Sequence, residues 1–368
     1  MKNKLPKYLL LFCLAGILLL PTGCRKDLLE QKPTVDLGAA QFWKTDADAE
    51  YALSGLYASI RPVFDRDYYM DGHGEYVRAR GNSTESNSLE AGAAYDDGSF
   101  DPSGYAGDWN NMYRYLYGGV NHANYVIENV ERMIAGGNTS KNLEIIIGEA
   151  RLLRGLSYFK LIAMWGDVPY IDKVIKDNSE VSTLPRTPIA EIKDAILADY
   201  TYAFEKLPAT ASTAGRASKA AALSLRGKMN LYWGSWKKNG WPELEGFTQN
   251  PTEASTAFTD AAADFKSVIN DFGLTLYMNG EPGEIDALGK AEKLPNYFHL
   301  FTPKANGNPE MIMVFTHGGV GTGQGENLMR DFAGRSVQFS QCWVSPRFEL
   351  ADRYQKISTG DFATPLRG

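Results

Sequence analysis

The sequence has 368 residues, of which 44% are hydrophobic and 22% charged, with a net charge of −6 and three cysteines. A chain this long and this apolar can bury a core of its own, as about two domains or one elongated one. Its acidic balance argues against nucleic acid as a partner, which calls for a basic face, and three cysteines make no disulfide framework.

The first element is a secretory signal. Lys2, Lys4 and Lys7 precede an apolar run over residues 8–20, and the small residues Thr22 and Gly23 precede Cys24, which is the layout of a cleaved leader. The run is too short to span a bilayer, which needs about 20 apolar residues, and no later segment approaches that length. The junction at Cys24 resembles a bacterial lipobox, in which the cysteine becomes the acylated first residue of the mature protein. Pro21 stands where Leu is usual, and the alternative is an ordinary signal with an incidental cysteine. Two acyl chains suffice for a stable anchor, since each buried CH₂ contributes about 0.8 kcal/mol. Cleavage before Cys24 removes three lysines and no acid, taking the net charge from −6 to −9, and removes Cys13. With only Cys24 and Cys342 left, stability has to come from an apolar core.

Residues 25–38 are polar and contain proline, as a tether would. A first helix is predicted over about 46–60, with Ala49, Leu53, Leu56 and Ile60 at helical spacing. From Arg61 to Gly107 neither a helical nor a strand period holds, yet the density of aromatic residues argues against disorder. Helices then follow in series. "DWNNMYRYLYGGVNHANYVIENVERMI" stops at Gly136-Gly137, and "NLEIIIGEARLLRGLSYFKLIAMWGDVPY" is apolar on most sides and should be buried on most sides. In the second of these, Leu152, Leu156, Phe159 and Ala163 form one stripe, with Ala150, Leu153, Leu161 and Met164 on neighbouring faces. Thr187-Pro188 reads as an N-cap and N1 pair for a helix carrying Ile192, Ile196, Ala203 and Leu207 inward. Further helices are predicted from about Ser218, with Ala222, Leu225, Met229, Tyr232 and Trp236 inward, and from about Glu253 to Phe272. "EMIMVFTH" is the late segment that reads as a strand. The helix starts near 142, 188, 218 and 254 straddle the roughly 34-residue tetratricopeptide period without obeying it. The expected fold is therefore mainly α: a degenerate tetratricopeptide-like helical-repeat scaffold with long irregular loops and few strands.

Several blocks stand in one order: the lipobox with "DLLEQKP", then "FWKTDADAEYALSGLY", "WNNMYRYLYGGVNHANYVIENV", "GEARLLRGLSYFKLIAMWGDVPY", "RTPIAEIKDAILADYTYAFEKLP", "GRASKAAALSLRGKMNLYWG" and "NPEMIMVF". Together, over nearly all of residues 20–355, they resemble the SusD/RagB family of Bacteroidetes outer-membrane lipoproteins. The resemblance implies a surface-exposed, lipid-anchored, mostly helical protein that binds a glycan, oligosaccharide or other nutrient and caps a SusC-like TonB-dependent transporter. It also implies a division into a signal peptide (1–23), a lipid-anchored tether (24–45) and a SusD-like helical domain (46–368). Family members continue well beyond the point where this chain stops, so a missing C-terminal part is expected. Arg25 and Lys26 ahead of Asp27 make the start of the mature chain only weakly acidic.

No constellation points to catalysis, a metal or another cofactor. His73, His122, His299 and His317 are scattered, with no metal-ligand spacing and no nucleophile elbow. "YDDGSFD" does not have the spacing of a calcium loop and reads as turn chemistry, and the glycines of "THGGVGTGQGEN" miss the offsets of a phosphate loop. Binding suits the residues better. Aromatic rings offer a flat apolar face to a sugar ring or a peptide side chain, while neighbouring polar groups fix its orientation. The long segment supplies both, with Tyr95 and Trp109 as stacking residues and Asp71, Arg80 and Asn110 as orienting ones. Trp343 belongs to a second aromatic supply at 339–348. The competing explanation is that these rings merely pin a long loop to the helices. Trp165 and Trp233, inside helices, are expected in the core. The resulting reading is a nutrient-binding lipoprotein without catalysis. A helical-repeat adaptor or peptide-binding lipoprotein is the alternative, and a surface glycosidase the third possibility.

Overall fold

In the computed structural model the described residues are 42–64, 77–79, 106–241, 248–283, 296–317, 332–334, 336–338, 340, 342, 344–346 and 350, with backbone alone for 77–79, 106–111 and 178. The chain divides into two units, Met1–Lys44 and Thr45–Gly368. In the first, Phe42 and Trp43 meet edge to face at 5.2 Å. The helices below belong to the second.

The main helices are α1 (Asp46–Phe64), α2 (Ala106–Ala135), α3 (Lys141–Trp165), α4 (Ile189–Lys206), α5 (Lys219–Asn239) and α6 (Pro251–Asp271), followed by the short α7 (Asn296–Leu300). Helix α1 packs on α2 and α3, and from α2 to α6 each helix packs on the next. This consecutive pairing is how helical repeats share one continuous core. A two-stranded antiparallel sheet joins β1 (Val77–Ala79) to β2 (Val344–Pro346) in the register Val77↔Pro346, Arg78↔Ser345 and Ala79↔Val344.

Burial follows the apolar spacing closely in the first helices. Ala49, Leu53, Leu56 and Ile60 are all buried, and Val63 extends their stripe by one more turn, so α1 runs past Ile60 to Phe64. Helix α3 is buried around most of its circumference from Leu143 to Ile162, as its composition requires. Both ends emerge: Lys141 and Glu144 are exposed at the start, and at the C-terminal end Ala163 is exposed and Met164 and Trp165 are half-buried, so Trp165 is not a core residue. Trp233 is buried, and its indole N–H donates to Glu253 Oε1 at 2.7 Å. Side-chain caps fit the sequence. Ser218 accepts from Ala221 N–H at the start of α5, and Asn250 accepts from Glu253 N–H at the start of α6, with Pro251 at the first helical position.

Three further expectations are corrected. At the start of α4, Pro188 occupies the cap position itself, and Thr187 makes an isolated antiparallel bridge with Val168. The cap comes from outside the segment, because Asp167 Oδ1 accepts from Ile189 N–H at 2.8 Å. In α5, Ala222 and Met229 are buried as expected, but Leu225, Tyr232 and Trp236 are half-buried. The buried face is rotated toward Gly227 and Gly234, which lie against Phe265 and Phe258 of α6. A Cβ at either glycine would come within 2.8 Å of the facing ring. The segment 311–317 forms no strand, since none of the described residues pairs with it in a ladder. Phe315 instead stacks on Phe64 at 4.7 Å, pinning the segment to the end of α1.

Three arginine clamps tie the helices together. Between α3 and α4, Arg154 Nε and Nη2 donate to Asp199 at 2.8 and 2.7 Å, and Nη1 donates to Asn124 of α2 at 2.8 Å. Arg216, in the connection before α5, donates to Glu149 of α3 at 2.6 and 3.0 Å and to Glu50 of α1 at 2.9 Å. Arg226 of α5 donates to Asp264 of α6 at 2.9 and 2.6 Å and to Thr201 of α4 at 3.2 Å. Each guanidinium offers its fork to a carboxylate, the geometry in which charge-assisted bonds are strongest.

Candidate functional site

Helix α2 carries a polar stripe at Tyr117, Asn121, Asn124 and Glu128. Spacings of four, three and four residues keep those positions on one helical face. Against it lies the irregular segment that leaves α3. Tyr117 donates to Pro169 O at 2.7 Å, Asn121 Oδ1 accepts from Ile175 N–H at 2.9 Å, and Glu128 Oε1 accepts from Val174 N–H at 2.7 Å. Asn124 Nδ2 donates to Ile171 O and Lys173 O, each at 3.0 Å. From α3, the Tyr158 hydroxyl accepts from Ile171 N–H at 2.6 Å. Burial pushes the Tyr117 hydroxyl well above the ordinary phenol range, with Tyr113 and Tyr158 adding to the effect, so it stays protonated and remains a donor. Side chains thus do for this backbone what a neighbouring strand does in a sheet.

Where the segment lifts from the helix, a cleft of about 500 Å³ opens between α2 and residues 169–181. Tyr113, Arg114, Tyr117, Asn121, Lys176 and Asp177 are among its lining residues. The Tyr113 and Tyr117 rings tilt against each other at 4.8 Å, and Trp165 meets Tyr113 edge to face at 5.2 Å. Volume, aromatic walls and a few polar groups are the attributes of a small-ligand cleft. Among the described residues no cluster of three or more His, Cys, Asp or Glu is placed to hold a metal ion, and no helix is long and apolar enough to cross a membrane.

The residues singled out in the sequence are only partly placed. Cys24, Asp71, Arg80, Tyr95 and Trp343 lie outside the described residues, while Trp109 and Asn110 are described by backbone alone, within α2. Trp109 and Asn110 occupy the turn of α2 that leads into Tyr113 and Arg114. The register Ala79↔Val344 pairs the residue directly before Arg80 with the residue directly after Trp343. The chain therefore brings a short stretch from within each of the two predicted aromatic supplies into one small sheet. Tyr113, Tyr117, Arg114 and Lys176 escaped the sequence reading, because tyrosines within a helix read as core. The signal that could have found them is the polar stripe at 117, 121, 124 and 128, whose amides and carboxylate need partners.

A family model described as SusD-like, starch-binding associating with outer membrane, matches residues 27–231, more than half of the chain. The SusD-like protein P2 of Formosa agariphila is 27% identical over 225 residues, which cover 60% of this chain and 43% of that protein. A SusD-like protein of Bacteroides ovatus is 24% identical over 368 positions, covering 95% of this chain and 59% of its own. The crystal structure of a SusD-like protein from Bacteroides fragilis superposes with a TM-score of 0.61 at 18% identity, over 91% of this chain and 57% of that one. The chain thus spans about half the length of the curated relatives it matches.

Proposed function

We infer that this chain, which belongs to the SusD-like family, is a lipid-anchored glycan-binding protein of the outer membrane that passes oligosaccharide to a TonB-dependent transporter and catalyses nothing itself. The match of residues 27–231 to a family described by starch binding and the outer membrane carries this reading. The aromatic cleft on α2 supports it by offering ring faces and polar groups at a scale that suits one or two sugar rings. In this reading residues 1–23 are the export signal, 24–45 the tether and 46–368 the binding domain, displayed on the cell surface.

The anchor is assigned to Cys24. Changing Cys24→Ala should move the protein from the membrane to the soluble fraction, because two acyl chains are what hold such a protein in place. Persistence in the outer membrane after that change, scored by cell fractionation, would disprove the lipobox.

The ligand platform is assigned to Trp109 and Tyr95 as stacking residues, with Asp71, Arg80 and Asn110 orienting the ligand and Trp343 as a candidate from the second aromatic supply. Trp109→Ala should weaken oligosaccharide binding by about 2 kcal/mol, roughly thirtyfold, as truncating a buried aromatic anchor commonly does. Calorimetric affinity and melting temperature are measured together. An unchanged affinity in a stable variant moves the platform elsewhere, and a collapsed melting temperature makes Trp109 a packing residue.

A further inference from the structure

We propose that the cleft between α2 and residues 169–181 selects oligosaccharides bearing an anionic group, a uronate carboxylate or a sulfate ester, and that Arg114 and Lys176 hold that group. This rests on the glycan-binding role inferred above and adds the ligand class. The cleft is lined by two cations and one carboxylate, Arg114, Lys176 and Asp177.

Their partners decide what is left over. Asp177 Oδ1 accepts from Ser179 N–H at 2.7 Å, and Glu180 accepts from the backbone of Lys176 at 3.1 Å while pairing with Lys173 at 3.6 Å. The acids of this turn thus bond its own backbone and Lys173, and Asp177 keeps its charge, so the cleft lining carries two positive charges against one negative. Several cations elsewhere are matched, among them Arg151 with Glu131, Lys206 with Glu144, Arg216 with Glu149 and Arg226 with Asp264. Among the described residues neither Arg114 nor Lys176 meets a carboxylate within ion-pair distance, and Arg114 lies over the Tyr115 ring at 6.0 Å. In a chain of net charge −6, what sets these two apart is their place, with two cations lining one cleft beside aromatic rings.

The chemistry of the three parts is complementary. A guanidinium presents two parallel donors to the paired oxygens of a carboxylate or sulfate, and an ammonium adds a point charge that tolerates several approaches. The tilted Tyr113 and Tyr117 rings supply the apolar face against which the pyranose carrying that group can lie. Asn121 spends its Oδ1 on Ile175 N–H, which leaves its amide N–H₂ available as a neutral donor among the described residues.

The test is calorimetric titration of the full chain with two matched pairs of probes. Trigalacturonate is compared with its methyl ester, and a sulfated galactan tetrasaccharide with its desulfated form. At least one anionic probe should bind about tenfold more tightly than its neutral partner. Which pair shows the difference separates carboxylate from sulfate as the source. Added salt should erode the preference, and the double variant Arg114→Gln/Lys176→Gln should abolish it while keeping the wild-type melting temperature. If the neutral probes bind as tightly as the anionic ones, or the preference survives the double variant, the inference is wrong and the glycan-binding role stands. If neither member of either pair binds, that role falls with it.

Discussion

Arg154→Met is expected to destabilise the protein by about 3–5 kcal/mol, because it strands a carboxylate in the core. The Arg154 and Asp199 side chains are only 9% and 5% exposed, so Asp199 would lose both charge-assisted bonds with no water to replace them, and Asn124 Oδ1 would lose its donor as well. The clamp sits where three consecutive helices meet, so its loss reaches the attachment of residues 171–173 to α2 through Asn124. Denaturant unfolding measures the cost. The double change Arg154→Met/Asp199→Leu should cost less than the single one, since a buried pair replaced by apolar groups leaves no charge behind. Equal costs for the single and double variants would mean that Asp199 is solvated in a way its burial does not allow.

Removal of the second clamp should cost nearly as much. Glu149 has 2% of its side chain exposed and holds Arg216 through both oxygens, while Arg216 is 16% exposed and also reaches the more open Glu50. Arg216→Met should therefore destabilise by about 2–4 kcal/mol, the upper end being reduced because the Glu50 arm is partly screened by water. Tyr57 makes this site more than a pair: its hydroxyl donates to Glu149 at 2.6 Å and accepts from Ala217 N–H at 3.0 Å. Burial, with the Glu149 charge behind it, raises the Tyr57 hydroxyl well above the ordinary phenol range, so it remains a donor across the physiological range. Without Arg216 the connection between α4 and α5 should also become cleavable by protease under native conditions, because its hold on α1 and α3 is this network. A variant that resists cleavage as well as the wild type would show that packing around Ala217 alone holds the connection.

The helices were legible because their apolar residues recur at the helical period and end at clear stops. Helix α3 even announced its burial on most sides through the lack of a polar face. The parts that could not be read are those held by polar atoms acting across the chain. No local pattern tells which carboxylate Arg154 will choose 45 positions away, or that Asp167 rather than Thr187 will cap α4. Segment 311–317 has the composition of a strand, but the pairing that makes a strand depends on a partner, and its aromatic residue found α1 instead. The chemistry of the α2 cleft, aromatic rings beside amides and charges, was legible in kind, while most of the residues singled out in the long stretch lie outside the described residues. The sequence pointed to rings in the long stretch before α2, whereas the described cleft is built from tyrosines within α2, which hydropathy alone would have sent to the core. The rotation of the buried face of α5 has the same origin: two glycines, invisible to a count of apolar residues, decided which face α6 covers.

The attachment of residues 169–175 to α2 separates the task of holding from the task of reading. Asn121, Asn124, Glu128 and Tyr117 grip carbonyls and amides, atoms that are the same whatever amino acid stands there. Side chains along residues 174–181 can therefore be exchanged without loosening the grip, so long as the new residues accept the same backbone path. Under the glycan-binding role proposed above, the wall at Ile175, Lys176, Asp177 and Val181 can be rewritten for a different ligand while the helical frame behind it keeps its shape. Selection would then leave two signatures on one stretch of chain: constancy at the gripping positions of the helix, and drift at the positions they present.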